Sequence, residues 1–174
     1  MVLPVPSEMT ASVGGILTAA QWNSNVRDGI NFLSNRPIFV GRQATAQSIP
    51  NNAFTPVTMD TSMVDDYGGH STSVNSDRYT AVVPGWYDVL AAINYVTNTT
   101  GRRLALLKVN NSNAAIPYAQ VEVALNTANG TCVLAFGKTF LNVGDYVNVS
   151  AFQSSGAALL LGSQTALIVQ WAHA

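Results

Sequence analysis

Short strand-like runs follow one another from Ile38 to the C-terminus, and they constrain the fold more than any other feature. The runs are rich in Val, Tyr, Phe and Thr, and Asn, Pro and Gly interrupt them at intervals of roughly 8–12 residues. Evenly spaced strands without helices between them favour an antiparallel sandwich or barrel. The predicted strands are Phe39–Ala46, Phe54–Met59, Arg78–Val83, Tyr87–Val96, Leu104–Val109, Tyr118–Leu125, Thr131–Phe140, Tyr146–Phe152, Ala157–Leu161 and Ala166–Ala172.

One pair of these runs carries the clearest hairpin signal. Val121–Asn126 and Thr131–Phe136 are separated by Thr-Ala-Asn-Gly, which ends in Asn129 and Gly130. Because Asn-Gly supplies the positive φ angles of tight turns, we predict that the two strands pair directly.

Several strands are apolar on both faces. One face of Trp86–Val96 is predicted to fill the core, and it carries Tyr87, Val89, Ala91, Ile93 and Tyr95. The opposite face is also apolar, and so are both faces of Leu104–Leu107 and Ala166–Trp171. Since water covers such a second face poorly, we expect another subunit to cover it.

One helix is predicted over residues 18–34, ahead of the strands. Thr18 and Gln21 match a capping box, and Pro37 ends the helix because the residue before proline disfavours helical angles. Apolar residues spaced by three or four form its predicted association face: Ala19, Trp22, Val26, Ile30 and Leu33. A lone helix of about 25 Å is marginal in water. The helix therefore packs on its own domain, self-associates in a bundle or docks as a peg.

The low charge of the chain limits the classes of function. Only 10% of the 174 residues are charged, with 8 basic residues against 9 acidic ones, and 48% are hydrophobic. This balance argues against a nucleic-acid binder and against a disordered chain. We expect a polar uncharged surface together with burial against copies of the same chain.

The sequence gives no sign of membrane insertion or secretion. No apolar run reaches the length of a membrane span, and residues 1–10 lack the pattern of a signal peptide. Cys132 is the one cysteine, and we expect it to be a small buried hydrophobic residue. These features predict synthesis in a reducing cytoplasm.

Patterns typical of enzymes and of metal sites are missing. No Gly-x-Ser-x-Gly elbow occurs, and His70 and His173 do not form the His-x-His motif of metal-binding jelly rolls. A loop-rich stretch carries Asp60, Asp65, Asp66 and Asp77. Such residues are typical turn formers, although a calcium site or a carboxylate pair for hydrolysis stays open. We predict no enzyme and no cofactor, with calcium as the alternative.

One loop is a candidate contact site, because it combines Asp65, Asp66, Tyr67 and His70. An exposed tyrosine offers a flat apolar face and a hydroxyl to a sugar or a protein. The alternative is that Tyr67 packs under a long loop.

Two motifs resemble those of a known superfamily. Pro84, Gly85 and Tyr87 are similar to the Pro-Gly-x-Tyr motif that opens a strand in the globular heads of the first complement component. Gly144 and Asp145 are similar to the Leu-x-x-Gly-Asp-x-Val turn of the same family, which shares a jelly roll with the tumour necrosis factor cytokines.

The order and spacing of these motifs extend the resemblance to about residues 38–173, since Thr165–His173 lies where the family's last strand would. The resemblance implies a ten-stranded antiparallel jelly roll that forms a tight homotrimer. The predicted fold is therefore all-β, with one short N-terminal α-helix.

The N-terminal segment resembles a different group of proteins. Residues 17–28 look like the leader of virion proteins from tailed phages, especially phages of actinobacteria. In such proteins the N-terminal part attaches to the particle and a trimeric β-rich knob projects outward. The resemblance implies an attachment segment, 1–37, and a knob domain, 38–174.

Three functions follow from these expectations. The first is a virion component, a trimeric fibre or spike knob at the virion surface, which binds a tail or capsid protein through 1–37 and aids adhesion to a host glycan or protein. A capsid decoration protein without a receptor role is a variant of it. The second is a soluble cytokine-like ligand-binding trimer. The third is a small carbohydrate-active enzyme, which the scarcity of Glu and His disfavours.

Overall fold

The computed structural model describes residues 5–6, 10, 14–112, 115–124 and 129–174, in which a helical segment precedes twelve strands. No helix in this described part is long and apolar enough to cross a bilayer. The strands are β1 (Ile38–Arg42), β2 (Ser48–Ile49), β3 (Thr55–Pro56), β4 (Thr61–Asp65), β5 (Arg78–Thr80), β6 (Gly85–Tyr95), β7 (Arg103–Val109), β8 (Ala115–Val123), β9 (Thr131–Leu141), β10 (Tyr146–Gln153), β11 (Leu159–Leu160) and β12 (Ala166–His173).

The helical segment changes its winding along its length. α1 (Ala19–Gln21) leads into a π-helical stretch (Trp22–Arg27), which continues as α2 (Asp28–Ser34). The segment matches the predicted bounds within one residue, but it is not the uninterrupted α-helix that was expected. π-Helical turns are rare, so the stretch marks a local departure from ideal helix geometry.

The predicted capping box starts the helix. The Thr18 hydroxyl accepts a hydrogen bond from the Gln21 backbone N–H (3.2 Å), and the Gln21 side-chain oxygen accepts one from the Thr18 N–H (2.9 Å). The helix ends at Asn35, whose φ of −129° is no longer helical, two residues before Pro37. Both ends thus follow the local chemistry of the sequence.

The strands form two antiparallel sheets that confirm the predicted jelly roll. The first sheet has the order β4-β1-β12-β6-β9, and the second has the order β3-β10-β7-β8 with β5 also paired to β10. The short strands β2 and β11 pair with each other. All ten predicted strands have a counterpart, and β2 and β4 are additional.

The core lies between the two sheets, and it confirms the predicted facing of β6. Tyr87, Val89, Ala91, Ile93 and Tyr95 are at most 1% exposed. The second sheet contributes residues at alternate positions of β7 and β10: Ala105, Leu107, Val147, Val149 and Ala151. A continuous apolar layer therefore fills the sandwich.

The predicted hairpin is wrong. β9 pairs with β6 along its whole length, whereas β8 pairs with β7 in the other sheet. Residues 125–128 of the turn lie outside the described residues. β8 instead crosses β9 face to face, and a Cβ at Gly137 would lie only 2.7 Å from Ile116 Cγ2 and 3.0 Å from Ala119 Cβ. The eleven-residue pairing of β6 with β9 outweighs the local turn signal.

Two further expectations about burial fail. Leu104 and Leu106 are only 4% and 6% exposed within the single chain, so they need no second subunit. Phe54 packs on Phe152 (ring centres 4.9 Å apart), which is the cross-strand neighbour of Leu104, and so helps to cover this part of the second sheet. Cys132 is exposed rather than buried, because it lies on the face of β9 opposite to the core residue Val133.

Candidate functional site

The outer face of the first sheet is an apolar surface that the single chain leaves uncovered. On β9 the outward residues Leu134, Phe136 and Phe140 are 58%, 57% and 45% exposed. The register aligns Phe136 with an apolar residue on each of the other four strands, which gives the row Val64, Val40, Ile168, Leu90 and Phe136. We call the outward residues of β9, β6, β12 and β1 the apolar face.

Neighbouring rows extend the apolar face along the strands. On one side Leu134 is aligned with Ala92 and Ala166. On the other side lies one ion pair, in which Lys138 Nζ is 3.1 Å from Asp88 Oδ1. The two charges neutralise each other, and the charge that remains on the apolar face is that of Arg42, which is exposed and aligned with Ala166 at the end of β1.

Aromatic rings end the apolar face near the C-terminus. Trp86, which is 39% exposed, meets Phe140 edge-on at 5.9 Å between ring centres, and His173 lies 6.3 Å from Trp86. Exposed aromatic rings bury large apolar areas when a partner covers them, and they are enriched in protein interfaces. The arrangement is therefore suited to binding another protein surface.

The helix adjoins this apolar face. Phe32 is its one buried residue, and the Phe32 ring lies edge-on to Trp171 (5.1 Å) and Tyr67 (6.0 Å). Leu33 lines a shallow cavity together with Ile38 and Gln170, which lie on the outer side of the first sheet. The helix is thus held on the domain at its C-terminal end.

The predicted association face of the helix stays largely uncovered. Trp22, Ile30 and Leu33 are 54%, 59% and 68% exposed, Ala19 is exposed and Val26 is half-buried. Phe32, which was not in the predicted set, supplies the contact with the domain instead. The helix therefore leaves an apolar stripe uncovered and is attached to its own domain through a different residue.

The Pro-Gly-x-Tyr motif is a structural joint between β6 and the last strand. The Pro84 carbonyl accepts a hydrogen bond from Trp171 Nε1 (3.0 Å), and the Val83 carbonyl accepts one from the Tyr87 hydroxyl (2.6 Å). Burial raises the pKa of Tyr87 to about 12, so the hydroxyl stays protonated and remains a donor. Gly85 adopts a φ of +146°, which L side chains rarely adopt.

Replacing Gly85 with alanine is expected to destabilise the fold strongly. Its Cβ would lie 2.5 Å from the His173 carbonyl oxygen and would also collide with Trp171 Nε1. We expect a loss of about 2–4 kcal/mol in the free energy of unfolding, measured by chemical denaturation. Gly156→Ala is the matched control, because Gly156 has a φ of +94° but open space around it. Equal losses in the two variants would contradict the collision.

The second motif forms the turn between β9 and β10. Asp145 accepts hydrogen bonds from Asn110 Nδ2 (2.8 Å) and from the Asn142 N–H (2.8 Å). These bonds, the Asn110 bond first, hold the pKa of Asp145 below its ordinary value of 3.8. Gly144, at φ +92°, donates its N–H to the Ala81 carbonyl (2.9 Å) and so ties the turn to the strand β5 region. Both motifs therefore serve the fold.

Asp145→Asn is expected to reduce stability in a pH-dependent way. A carboxyl whose pKa is lowered by folding stabilises the folded state above its ordinary pKa, and the contribution is lost as pH falls through the folded value. The difference in free energy of unfolding between wild type and variant should thus be constant above about pH 5 and shrink below about pH 4. Denaturation curves between pH 3 and 7 measure it, and a pH-independent difference would contradict the assignment.

The predicted contact loop is built as a structural turn. Asp65 accepts from the N–H groups of Gly69 and His70 (both 3.0 Å) through its two carboxylate oxygens. Tyr67 is only 4% exposed and its hydroxyl donates to the Asn35 carbonyl (2.8 Å), so of the two alternatives the structure has the one in which Tyr67 packs under the loop. Asp66 is exposed. The loop lies at the end of the sandwich where the helix joins it.

His70 links two segments of this loop region. Its ring nitrogens lie 2.7 Å from the Arg78 carbonyl oxygen and 2.9 Å from the Met59 carbonyl oxygen. His70 is half-buried, and its ring lies tilted against the Phe39 ring with the ring centres 4.5 Å apart. A surface contact through His70 would therefore compete with these internal bonds.

The carboxylates of the loop-rich stretch are also engaged internally. Asp60 accepts from the N–H groups of Ala44 and Thr45, which lower its pKa, and Asp77 pairs with Arg78 (3.1 Å). Across the described ranges, no group of three or more His, Cys, Asp or Glu side chains converges on a point. These internal contacts therefore indicate that the carboxylates stabilise turns.

Sequence reasoning missed the strongest part of the apolar face. β6 and β12 were predicted to be apolar on both faces, but β9 was not, although Leu134, Phe136 and Phe140 alternate there with the core residues Val133 and Ala135. Apolar residues at both alternating sets of positions along β9 were the sequence signal that could have identified this part of the apolar face.

Comparisons with solved structures agree with this fold. The globular domain of zebrafish complement 1qA protein matches with a TM-score of 0.57 and 17% identity, over 78% of this chain and 96% of that chain. Murine APRIL matches with a TM-score of 0.57 and 12% identity, over 78% of this chain and 98% of that chain. Eiger TNF from S. frugiperda matches with a TM-score of 0.51 and 14% identity, over 80% of this chain and 96% of that chain. No family model and no curated protein matches the sequence. At these identities the likeness shows the fold.

Proposed function

We propose that the chain is a non-enzymatic structural protein that assembles as a homotrimer through its apolar face. The row from Val64 to Phe136 carries this proposal, because it crosses all five strands of the first sheet, and the single chain leaves Phe136 exposed and the other four side chains only half-buried. Three copies arranged around one axis cover three such faces in a closed ring. Burial of about 1,500 Å² or more per chain would make a permanent interface.

We further propose that the trimer is a fibre or spike knob of a tailed-phage virion, attached through residues 1–37 to a tail or capsid protein. Two features support the attachment role: the resemblance of residues 17–28 to phage leaders, and the exposed stripe that includes Trp22 and Ile30. Copies repeated on one particle would turn weak contacts with a host glycan or protein into firm adhesion.

This arrangement changes where host contact is expected. The loop from Asp65 to His70 lies at the end where the helix joins, so in an attached knob it would face the particle. Adhesion is accordingly assigned to the opposite end and to the flanks of the sandwich.

A soluble cytokine-like ligand-binding trimer is the second candidate. Solved structures with this fold carry the names of a complement protein, APRIL and a tumour necrosis factor. A capsid decoration protein without a receptor role is a variant of the first proposal. In the soluble trimer, residues 1–37 would be dispensable for location.

Light scattering on the full chain and on a chain that begins at Ile38 tests the trimer. Each should show three times the mass of its own chain, which is 18.4 kDa for the full chain, if the apolar face holds the assembly. A monomer in both would contradict the proposal, and a trimer in the full chain alone would move the contacts to the helix.

A separate experiment tests attachment to a virion. The full chain should co-purify with intact particles of the encoding phage on a density gradient. Trp22→Ala combined with Ile30→Asp should abolish this and leave the trimer mass unchanged, because the two side chains are exposed on the helix. Full incorporation of the double variant would contradict a docking role for the stripe.

A further inference from the structure

Polar side chains without partners lie together on the outer face of the second sheet. Asn148 and Ser150 point to the same side of β10 and are 0% exposed. Within the described part of the chain, neither amide atom of Asn148 nor the hydroxyl of Ser150 has a hydrogen-bond partner. A buried polar group without a partner is costly, so a native structure that keeps two side by side needs a reason.

A lysine lies directly beside them. Lys108 is the cross-strand neighbour of Asn148 and is only 9% exposed. Among the described residues it forms no ion pair and no hydrogen bond, and its Nζ lies 5.8 Å from the centre of the Phe54 ring. An ammonium without an anion beside it leaves its charge available to a bound anion.

The surroundings leave this positive charge uncompensated. Arg78, the neighbour of Asn148 on the other side, is neutralised by Asp77 and lies over the Tyr146 ring at 4.1 Å. Glu122 on β8 is paired with Arg102 (3.5 Å). The described residues therefore supply no carboxylate to Lys108, although other carboxylates lie on the same face.

The donors and acceptors of this patch define a ligand chemistry. Lys108 and Ser150 offer hydrogen-bond donors to an anion. The Asn148 amide offers one donor group and one acceptor, so a ligand that satisfies it must bring both an acceptor and a hydroxyl. Phe54, 44% exposed and in tilted contact with the Phe152 ring, offers a ring face beside the lysine. A carboxylate, adjacent hydroxyls and an apolar ring face occur together in an acidic sugar.

We infer that the patch formed by Lys108, Asn148, Ser150 and Phe54 binds the carboxylate end of an acidic saccharide. The Lys108 ammonium pairs with the carboxylate of the sugar. The Asn148 amide and the Ser150 hydroxyl form hydrogen bonds with the carboxylate oxygens and with a neighbouring sugar hydroxyl. The sugar ring packs on Phe54. The lysine side chain, with four rotatable bonds, must swing aside to open Asn148 and Ser150. The site deepens the adhesive role under the proposed function, and it lies on the sheet opposite to the apolar face.

Saturation-transfer NMR on the full chain tests the site with D-glucuronate as the probe. Signal transfer to glucuronate is expected, with none to glucose, which lacks the carboxylate. Inorganic sulfate, an anion without a hydroxyl donor, should compete weakly. Equal binding of glucose would overturn the role of the charge, and equal binding of sulfate would identify a site for free anions.

Variants separate the site from non-specific attraction. Lys108→Met keeps the length of the side chain and should weaken glucuronate binding about tenfold or more, since a bond to a charged group is lost. Arg27→Met is the matched control, because it removes one positive charge from the helix and should leave binding unchanged. Equal binding by wild type and Lys108→Met would overturn the inference.

Thermal unfolding without sugar adds an independent readout. Lys108→Met should leave the unfolding temperature nearly unchanged, because among the described residues the ammonium forms no ion pair that the substitution would remove. A lower unfolding temperature would show that the lysine stabilises the fold and would overturn its assignment to a ligand. All these measurements use the isolated protein, so their failure would leave the trimer and the attachment to a particle standing.

Discussion

Replacing Phe136 with aspartate is expected to convert the proposed trimer into monomers. Phe136 lies at the end of the apolar row, and its 57% exposed ring would be covered in the assembly. A carboxylate without a partner in that position should cost about 3 kcal/mol per copy, which is a hundredfold or more in the dissociation constant. Light scattering should then give a mass close to 18.4 kDa, the mass of one chain.

Val143→Asp is the control for this result. Val143 is 64% exposed and lies in the turn after β9, away from the apolar face, so the trimer mass should persist. Circular dichroism should show strands in both variants, because neither side chain belongs to the core. A trimer that survives Phe136→Asp would place the contacts on another surface.

Tyr87→Asp is expected to abolish folding. Tyr87 is fully buried on the core face of β6, within the apolar core cluster of the sandwich. An unpaired charge at such a position costs several kcal/mol, against a total stability of about 5–15 kcal/mol for a domain. Insoluble protein, or a near-UV spectrum without tertiary signal, is the expected outcome.

Tyr87→Phe separates the charge from the lost hydroxyl. It removes only the hydrogen bond to the Val83 carbonyl and should cost about 1–2 kcal/mol. Folded, soluble Tyr87→Asp protein would show that this face of β6 is more open than its burial indicates.

The sequence predicted those features that depend on local patterns. Alternation along Trp86–Val96 gave the core face correctly, and the capping box at Thr18 gave the start of the helix. β4 was missed because its residues, Thr61–Asp65, carry the polar composition of an edge strand, which resembles that of a loop.

Features that depend on pairing between residues far apart in the chain could not be predicted from the sequence. The Asn129-Gly130 turn predicted that β9 would pair with β8 in a hairpin. β9 pairs instead with β6, whose nearest residue lies some thirty-five positions earlier in the chain. The patch around Asn148 arises only when β10 is set against β7 in one register, since Lys108 is forty positions away in the chain. A one-residue slip would turn either strand over, and no local pattern fixes that choice.

Both chain ends leave the sandwich from one pole. Ile38 at the start of β1 pairs with Gln170 near the end of β12, and Arg36 Nη1 lies 3.2 Å from the Ala172 carbonyl oxygen. A tag or reporter fused to Ala174 would therefore crowd the helix and whatever binds it. Peptides meant for display should be inserted at the opposite pole, for example in the loop between β10 and β11, where Gly156 has open space around it.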